Sequence, residues 1–299
     1  VNTILTSFCR LTRAEGDSFP CLCRSGELYR LDNRGDARFH DIGTMLRTFG
    51  GSLGRVLDSL PVVGPPVARL ADVLAGNGPF TAAAPVDQQE VWGAGMTFSL
   101  APGTLSDLQR ERPLYADVYL SERPMLFFKS SPWCVLGDGR PISCRKDAHR
   151  TIPEAELAVL LAPDGEPVAY SLGNDVTAVD IENRNPLYQP QAKVFQGSCA
   201  LGPSWRFVAE EELRGLDVGW TLERAGQKIA GVRYNLSKLA MSVRALCSSL
   251  AVAGHLRHGA VLLVGSGAPC PPDVALKAGD LVHVWAEGFE MLTNPVSQG

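Results

Sequence analysis

Apolar and polar residues alternate over short stretches along most of this chain. Glu27-Leu28-Tyr29-Arg30-Leu31 alternates and runs into Asp32-Asn33-Arg34-Gly35-Asp36, the signature of a strand and a turn. Leu157, Val159 and Leu161 interleave with Glu154, Glu156 and Ala158, which predicts a half-buried strand. Val168, Tyr170 and Leu172 predict the next strand, with Gly165 at the turn between the two. Val261-Leu262-Leu263-Val264 reads as a buried strand entering Gly265-Ser266-Gly267, and Leu281, His283 and Trp285 alternate on a last strand. Phe127-Phe128 leads into Lys129-Ser130-Ser131-Pro132, which reads as a loop. Helical spacing is rarer. Met45, Leu46, Phe49, Leu53 and Val56 recur at three- and four-residue intervals, and a short helix fits Val67 to Leu74. Leu236, Leu239, Ala240, Val243, Leu246, Cys247 and Leu250 mark one amphipathic helix with Asn235 as its N-cap. The fold class expected is mainly β (α+β), with one or two helices packed on the sheets. Residues 1–85 form a small N-terminal α+β domain in this reading, Thr81–Pro85 is a connector, and residues 86–299 form the larger domain.

Charge and composition exclude several function classes. The net charge of −4 over 299 residues offers no basic stripe for nucleic acid. No apolar run approaches the ~18 residues that span a membrane. Val1-Asn2-Thr3-Ile4-Leu5 lacks a basic n-region and a long apolar core, so a cytoplasmic location is expected. The eight cysteines are irregularly spaced and read as reduced thiols. Cys21 and Cys23 have no matching second pair, so no zinc site is expected.

The candidate chemistry lies in Pro153-Glu154-Ala155-Glu156-Leu157. On a strand, Glu154 and Glu156 share a face with their Cα atoms ~7 Å apart. Carboxylates that close repel, and a divalent cation relieves the repulsion. A solvated strand face would also carry Glu-x-Glu. The next strand, however, leads into Gly173-Asn174-Asp175, which puts a third carboxylate at its end. Oxygen donors without thiolate suit Mg²⁺, Mn²⁺ or Ca²⁺.

Glu154-x-Glu156, then Gly173-Asn174-Asp175-Val176-Thr177-Ala178-x-Asp180-Ile181, then Lys193 and Leu201-Gly202-Pro203, resembles the signature of the fumarylacetoacetate hydrolase superfamily. The closing segments Gly279-Asp280-Leu281-Val282 and Leu292-x-Asn294-Pro295-Val296 fit the same pattern, and the resemblance covers about residues 90–299. It implies a mixed β-roll, commonly dimeric, so a homodimer or higher homo-oligomer is expected. It also implies Glu154, Glu156 and Asp175 as ligands of Mg²⁺ (or Ca²⁺ or Mn²⁺) and Lys193 as a substrate contact. Ser266 and Gly267 would belong to the loop that binds the substrate's carboxylate.

Asp180-Ile181-Glu182-Asn183-Arg184-Asn185-Pro186-Leu187-Tyr188-Gln189-Pro190-Gln191-Ala192-Lys193 resembles the family's 2-keto-3-deoxy-D-arabinonate dehydratase branch, as does Glu122-Arg123-Pro124-Met125-Leu126-Phe127-Phe128-Lys129. The family's hydrolases carry a water-activating histidine soon after the first strand of the catalytic domain. Here that stretch is Trp92 to Leu100, and the next histidine is His149. The resemblance therefore implies dehydration of a 2-keto-3-deoxy pentonate to a 2,5-dioxo acid. Lys193 would serve either in proton transfer or as a fixed positive charge, with Glu122 a second candidate acid or base. Thr97 and Ser99 would face the substrate's hydroxylated tail. The tyrosine that follows this threonine in that branch is Phe98 here, and a nearby arginine is missing, which points to a changed tail preference. Two other readings stay open. One is an acylpyruvate-type C–C hydrolase, decarboxylase or tautomerase on the same metal site; the other is a non-catalytic β-roll that binds 2-keto acids.

Overall fold

The structure, a computed structural model, describes residues 6–101 and 103–299. Val1 to Leu5, read above for a leader, lie outside the described residues. Two large sheets carry the chain, one of twelve strands and one of five, beside a two-stranded pair of Thr151–Ile152 with Thr177–Ala178. The larger runs from Ala68–Arg69 through Glu27–Arg30, Ser18–Arg24 and Thr6–Arg13 to Ser204–Arg206. It continues through Pro167–Asp175, Ala155–Leu161, Ala260–Leu263 and Glu90–Gly95 to Met125–Ser130. The smaller is ordered Gln227–Asn235, Asp217–Arg224, Leu281–Ala286, Leu292–Gln298, Ile142–Cys144.

The strand Ala155–Leu161 is buried on both faces, not on one. Leu157, Val159 and Leu161 pack into the core shared with the smaller sheet, where Val218, Trp220 and Val284 meet them. Ala158 and Leu160 pack the other way, under Ile42, Met45, Leu46, Leu53 and Leu57. Alternation in the sequence marks a solvated face only where the second face carries polar side chains; here it carries alanine and leucine beyond Glu156. The helical stretch around Met45 to Val56 is two helices, Ile42–Phe49 and Leu53–Ser59, interrupted at Gly50, whose φ of 49° and ψ of −135° leave the helical region. Asp41 caps the first, accepting from the Thr44 amide at 2.7 Å.

Several other expectations change. Phe80–Ala83 is a strand paired with Thr6–Arg13, where a connector was expected. Thr6–Arg13 also pairs with Ser204–Arg206, so the large sheet passes without a break from the N-terminal segment into the rest. Lys129 sits in the strand Met125–Ser130, not in a loop. Asn235 caps only the short turn Leu236–Lys238, and the α-helix is Val243–Ala251, capped by Ser242. Val282, Val284 and Ala286 are the buried face of their strand, while Leu281, His283 and Trp285 face outward, and Leu292–Gln298 follows as a further strand. Nine α-helical segments occur among the described residues, against one or two expected. Two of them, Thr104–Glu111 and Pro113–Leu120, occupy a region read as strands, and both border the cavity described next.

Candidate active site

The antiparallel pair Ala155–Leu161 and Pro167–Asp175 sets the site. Its register places Ala155 opposite Asn174 and Glu156 opposite Gly173. The Asp175 amide donates to the Glu154 carbonyl at 2.9 Å, which brings the two acids together at the end of the pair. The buried Asn174 fixes the same end, its Oδ1 accepting from the Glu154 amide at 3.2 Å. One oxygen from each of Glu154, Glu156 and Asp175 lies within 4.8 Å of the other two.

Two lysines neutralise part of this charge. Lys193, at the end of the helix Gln189–Lys193, donates to Asp175 Oδ2 and Thr177 Oγ1, each at 2.8 Å, and to Glu154 Oε2. Lys129 has no exposed surface; its Nζ lies 2.5 Å from Asp175 Oδ1 and donates to the carbonyls of Val176 at 3.0 Å and Lys193 at 2.6 Å. Both Asp175 oxygens are thus held by ammonium groups. Burial would raise the Asp175 carboxyl, but the two lysines hold it below its ordinary range. Burial would lower Lys193, but Asp175 and Glu154 outweigh it and push its pKa well above the usual value. The carboxylates around it thus favour its ammonium form. Glu156 is driven well up by burial, then by Asp175 and Glu154.

Glu156 Oε2 accepts from the Gly265 amide at 2.7 Å, which ties the Gly265-Ser266-Gly267 loop to the acids. Gly265 has φ 98°, and a Cβ there would lie 2.3 Å from Thr97 Oγ1 and 2.8 Å from the Ala94 carbonyl. Thr97 itself is buried and donates to the Val264 carbonyl at 2.5 Å.

A cavity of about 450 Å³ opens over these groups. Of the expected site residues, Glu154, Glu156, Asp175, Lys193, Ser99, Ser266 and Gly267 line it. Thr97 does not; it supports the Gly265 turn from below. Glu122 does not either: it is exposed, beside Arg123, Ser249 and Val252, in a separate depression. The additional carboxylate in the wall is Glu182, with a pKa raised by burial, and Arg112, Tyr115 and Gln189 line the same cavity. These four were not singled out from the sequence, and neither was Lys129. For Lys129 a signal existed, since Phe127 and Lys129 share the inward parity of their strand; its neighbours Ser130 and Pro132 argued for a loop instead.

The residues present fit a divalent cation. Three clustered carboxylates, Glu154, Glu156 and Asp175, stand against two ammonium groups, a formal excess of one negative charge. The upward push on Glu156 by its acidic neighbours is the strain such a cation relieves. The donors are all oxygens, the set that hard cations take.

Two large sheets with clustered carboxylates and two buried lysines under a cavity define the class: a mainly β protein with an oxygen-donor cation site. The model of the fumarylacetoacetate (FAA) hydrolase C-terminal domain matches residues 104–297. The chain belongs to the fumarylacetoacetate hydrolase family. It is 33% identical over 290 positions to a Haloferax volcanii protein named a probable 2-keto-3-deoxyxylonate dehydratase, covering 92% of this chain and 98% of that one. It is 32% identical over 221 positions to the 2-dehydro-3-deoxy-D-arabinonate dehydratase of Saccharolobus solfataricus, covering 72% of this chain and 74% of the relative. A solved 2-keto-3-deoxy-D-arabinonate dehydratase, complexed with magnesium and 2,5-dioxopentanoate, superposes with a TM-score of 0.82 at 26% identity, covering 98% of this chain and 99% of that chain.

Proposed function

We propose that the protein is a divalent-metal-dependent dehydratase that removes water from a 2-keto-3-deoxy pentonate to give a 2,5-dioxo acid. The observation that carries this is the convergence of Glu154, Glu156 and Asp175, braced by two buried lysines, in a chain coextensive with a dehydratase solved with magnesium and 2,5-dioxopentanoate.

Glu154, Glu156 and Asp175 would hold the cation, Mg²⁺ first and Ca²⁺ or Mn²⁺ as alternatives. A bound cation of this kind polarises the keto oxygen of a chelated 2-keto acid and so acidifies the protons on carbon 3. The chain's own groups do the rest. Lys193 holds positive charge beside the carboxylates, where it stabilises the negative charge that builds on the substrate oxygens. The Gly265–Gly267 turn would receive the substrate carboxylate. A proton leaves carbon 3 and hydroxide leaves carbon 4, taking a proton to depart as water. The new double bond then shifts: a proton leaves carbon 5, carbon 3 is reprotonated, and the resulting enol at carbons 4 and 5 becomes the aldehyde. Glu182, partly buried in the cavity wall and raised in pKa by desolvation, is our candidate for proton transfer in place of Glu122, which lies outside the cavity.

A cytoplasmic location and a homo-oligomer complete this reading. Light scattering would measure the oligomer's size.

The deciding assay offers the protein with Mg²⁺ a 2-keto-3-deoxy pentonate, an acylpyruvate and oxaloacetate, with products followed by mass spectrometry. Loss of one water from the pentonate is expected. Cleavage of the acylpyruvate with an intact pentonate would overturn the reading. Asp175→Asn and Glu156→Gln should each abolish turnover and weaken Mg²⁺ binding by calorimetry.

A further inference from the structure

The cavity is larger than its acidic end, and the remainder of its wall is built by residues the metal chemistry does not use. Arg112, between the two helices that follow residue 103, lies with its guanidinium 4.0 Å from the centre of the Tyr115 ring. Among the described residues it forms no ion pair. The Tyr115 hydroxyl and the Gln189 Nε2 are both buried atoms, and neither has a hydrogen-bond partner among the described residues. Both residues line the cavity together with Arg112 and the Glu182 carboxylate.

Buried polar atoms are normally partnered, because leaving one unmade forfeits its solvation without return. At the acidic end most of this accounting closes: Glu156 takes the Gly265 amide, Asp175 and Glu154 take the lysines, and Asn174 Nδ2 is left without a partner among the described residues. On the helical side it does not close. Two donors and an unpaired guanidinium face the same space, and what completes them must supply oxygen. The guanidinium and the Glu182 carboxylate offset each other, so the complement is a neutral, hydroxyl-bearing group that both donates and accepts.

We propose that Arg112, Tyr115 and Gln189 form a subsite that hydrogen-bonds the terminal hydroxyl of the bound sugar acid and thereby selects hydroxylated 2-keto acids over alkyl ones. This rests on the reading that a 2-keto acid head lies at the carboxylates. A site built to hydrogen-bond a substrate hydroxyl rejects the analogue that lacks it, because its buried groups are then left unpaired. Selection comes from the helical side of the cavity, separate from the cation that acts on carbons 2 and 3.

The test uses two acids that differ only at this group and cannot be dehydrated, since neither has a hydroxyl on carbon 4: 5-hydroxy-2-oxopentanoate and 2-oxopentanoate. Each is titrated by calorimetry into the full chain loaded with Mg²⁺. The hydroxylated acid should bind about tenfold tighter or better, the effect of one well-made hydrogen bond. Tyr115→Phe and Gln189→Leu should each bring the two affinities within about threefold of each other while leaving 2-oxopentanoate and Mg²⁺ binding nearly unchanged. Tyr115→Phe should also keep or raise the melting temperature, because the hydroxyl it removes has no partner in the free protein. Equal binding of the two acids by the unaltered chain, or equal loss of both in the variants, would overturn the subsite while sparing the head-group reading. Failure of both acids to bind at all would overturn both.

Discussion

Lys129 shows how much a single residue can decide. It is a lysine with no exposed surface, held by one carboxylate oxygen and two carbonyls. Removing one partner of a buried ion pair leaves the other charge uncompensated, at a cost of about 3–5 kcal/mol. Lys129→Met should therefore lower Tm by roughly 5–10 °C at neutral pH. The sign of the pH dependence follows from Asp175. Its folded pKa is depressed, so it contributes stability above the unfolded carboxylate pKa and loses it as pH falls through the folded value. The gap between wild type and variant should be widest near neutrality and narrow as pH falls below the ordinary carboxylate range. Thermal melts over that range check it; a gap that widens on acidification would remove Lys129 as the partner of a charged Asp175. Glu154, Glu156, Asp175 and Lys193 were legible in the sequence because they sit in an ordered run of spacings. Lys129 and Glu182 were not, because a lysine before Ser-Ser-Pro and a glutamate in Glu-Asn-Arg-Asn look solvated until tertiary packing closes over them.

Among the elements, the turn after Ala260–Leu263 bears directly on activity. Gly265 holds a left-handed backbone, with Thr97 and Ala94 where a side chain would go, and its amide binds Glu156. Gly265→Ala must shift that turn against the Thr97 side chain, itself bonded to the Val264 carbonyl, and against the Ala94 backbone carbonyl. The expected result is a loss of at least about tenfold in kcat/KM, with the fold retained, because a misplaced group near the chemistry is costly out of proportion to its displacement. Steady-state kinetics with a Mg²⁺ titration test this, and unchanged kinetics would show that the turn does not position Glu156 for the reaction. The helices Thr104–Glu111 and Pro113–Leu120 were the elements hardest to read. The first buries no residue fully and the second only Ala116, so neither sets an apolar stripe into a core. They border the cavity, and contacts to a cavity bury no face that a periodic pattern would mark. The strands were legible for the opposite reason, since their apolar runs serve two cores at once.

For the molecule as a whole, the sequence reading divides the chain at residue 85. The structure joins the two parts through one sheet, with Ser7, Phe8 and Cys9 registered against Arg206, Trp205 and Ser204. Within that sheet the N-terminal segment still has a core of its own, built from Leu11, Phe19, Leu28, Leu70 and their neighbours. A chain beginning at residue 86 would uncover the Ser204–Arg206 edge and strip Phe8 and the helices Ile42–Phe49 and Leu53–Ser59 from the fully buried Trp205 and Leu160. Such an edge over exposed apolar surface aggregates. We expect the truncated chain to be insoluble, or soluble but molten by near-ultraviolet circular dichroism; a folded, active fragment would establish residues 86–299 as an independent domain.

The order of strands in the large sheet also sets a timetable for synthesis. Ala260–Leu263 lies between Ala155–Leu161 and Glu90–Gly95, yet it is made long after both. Until the ribosome has released residue 263, two finished strands face a gap with unpaired edges, and the cation site lacks the turn that holds Glu156. Nascent chains are therefore expected to carry these open edges and an incomplete acid cluster while residues 162–263 are made, roughly a third of the chain, a period in which chaperones would guard against aggregation.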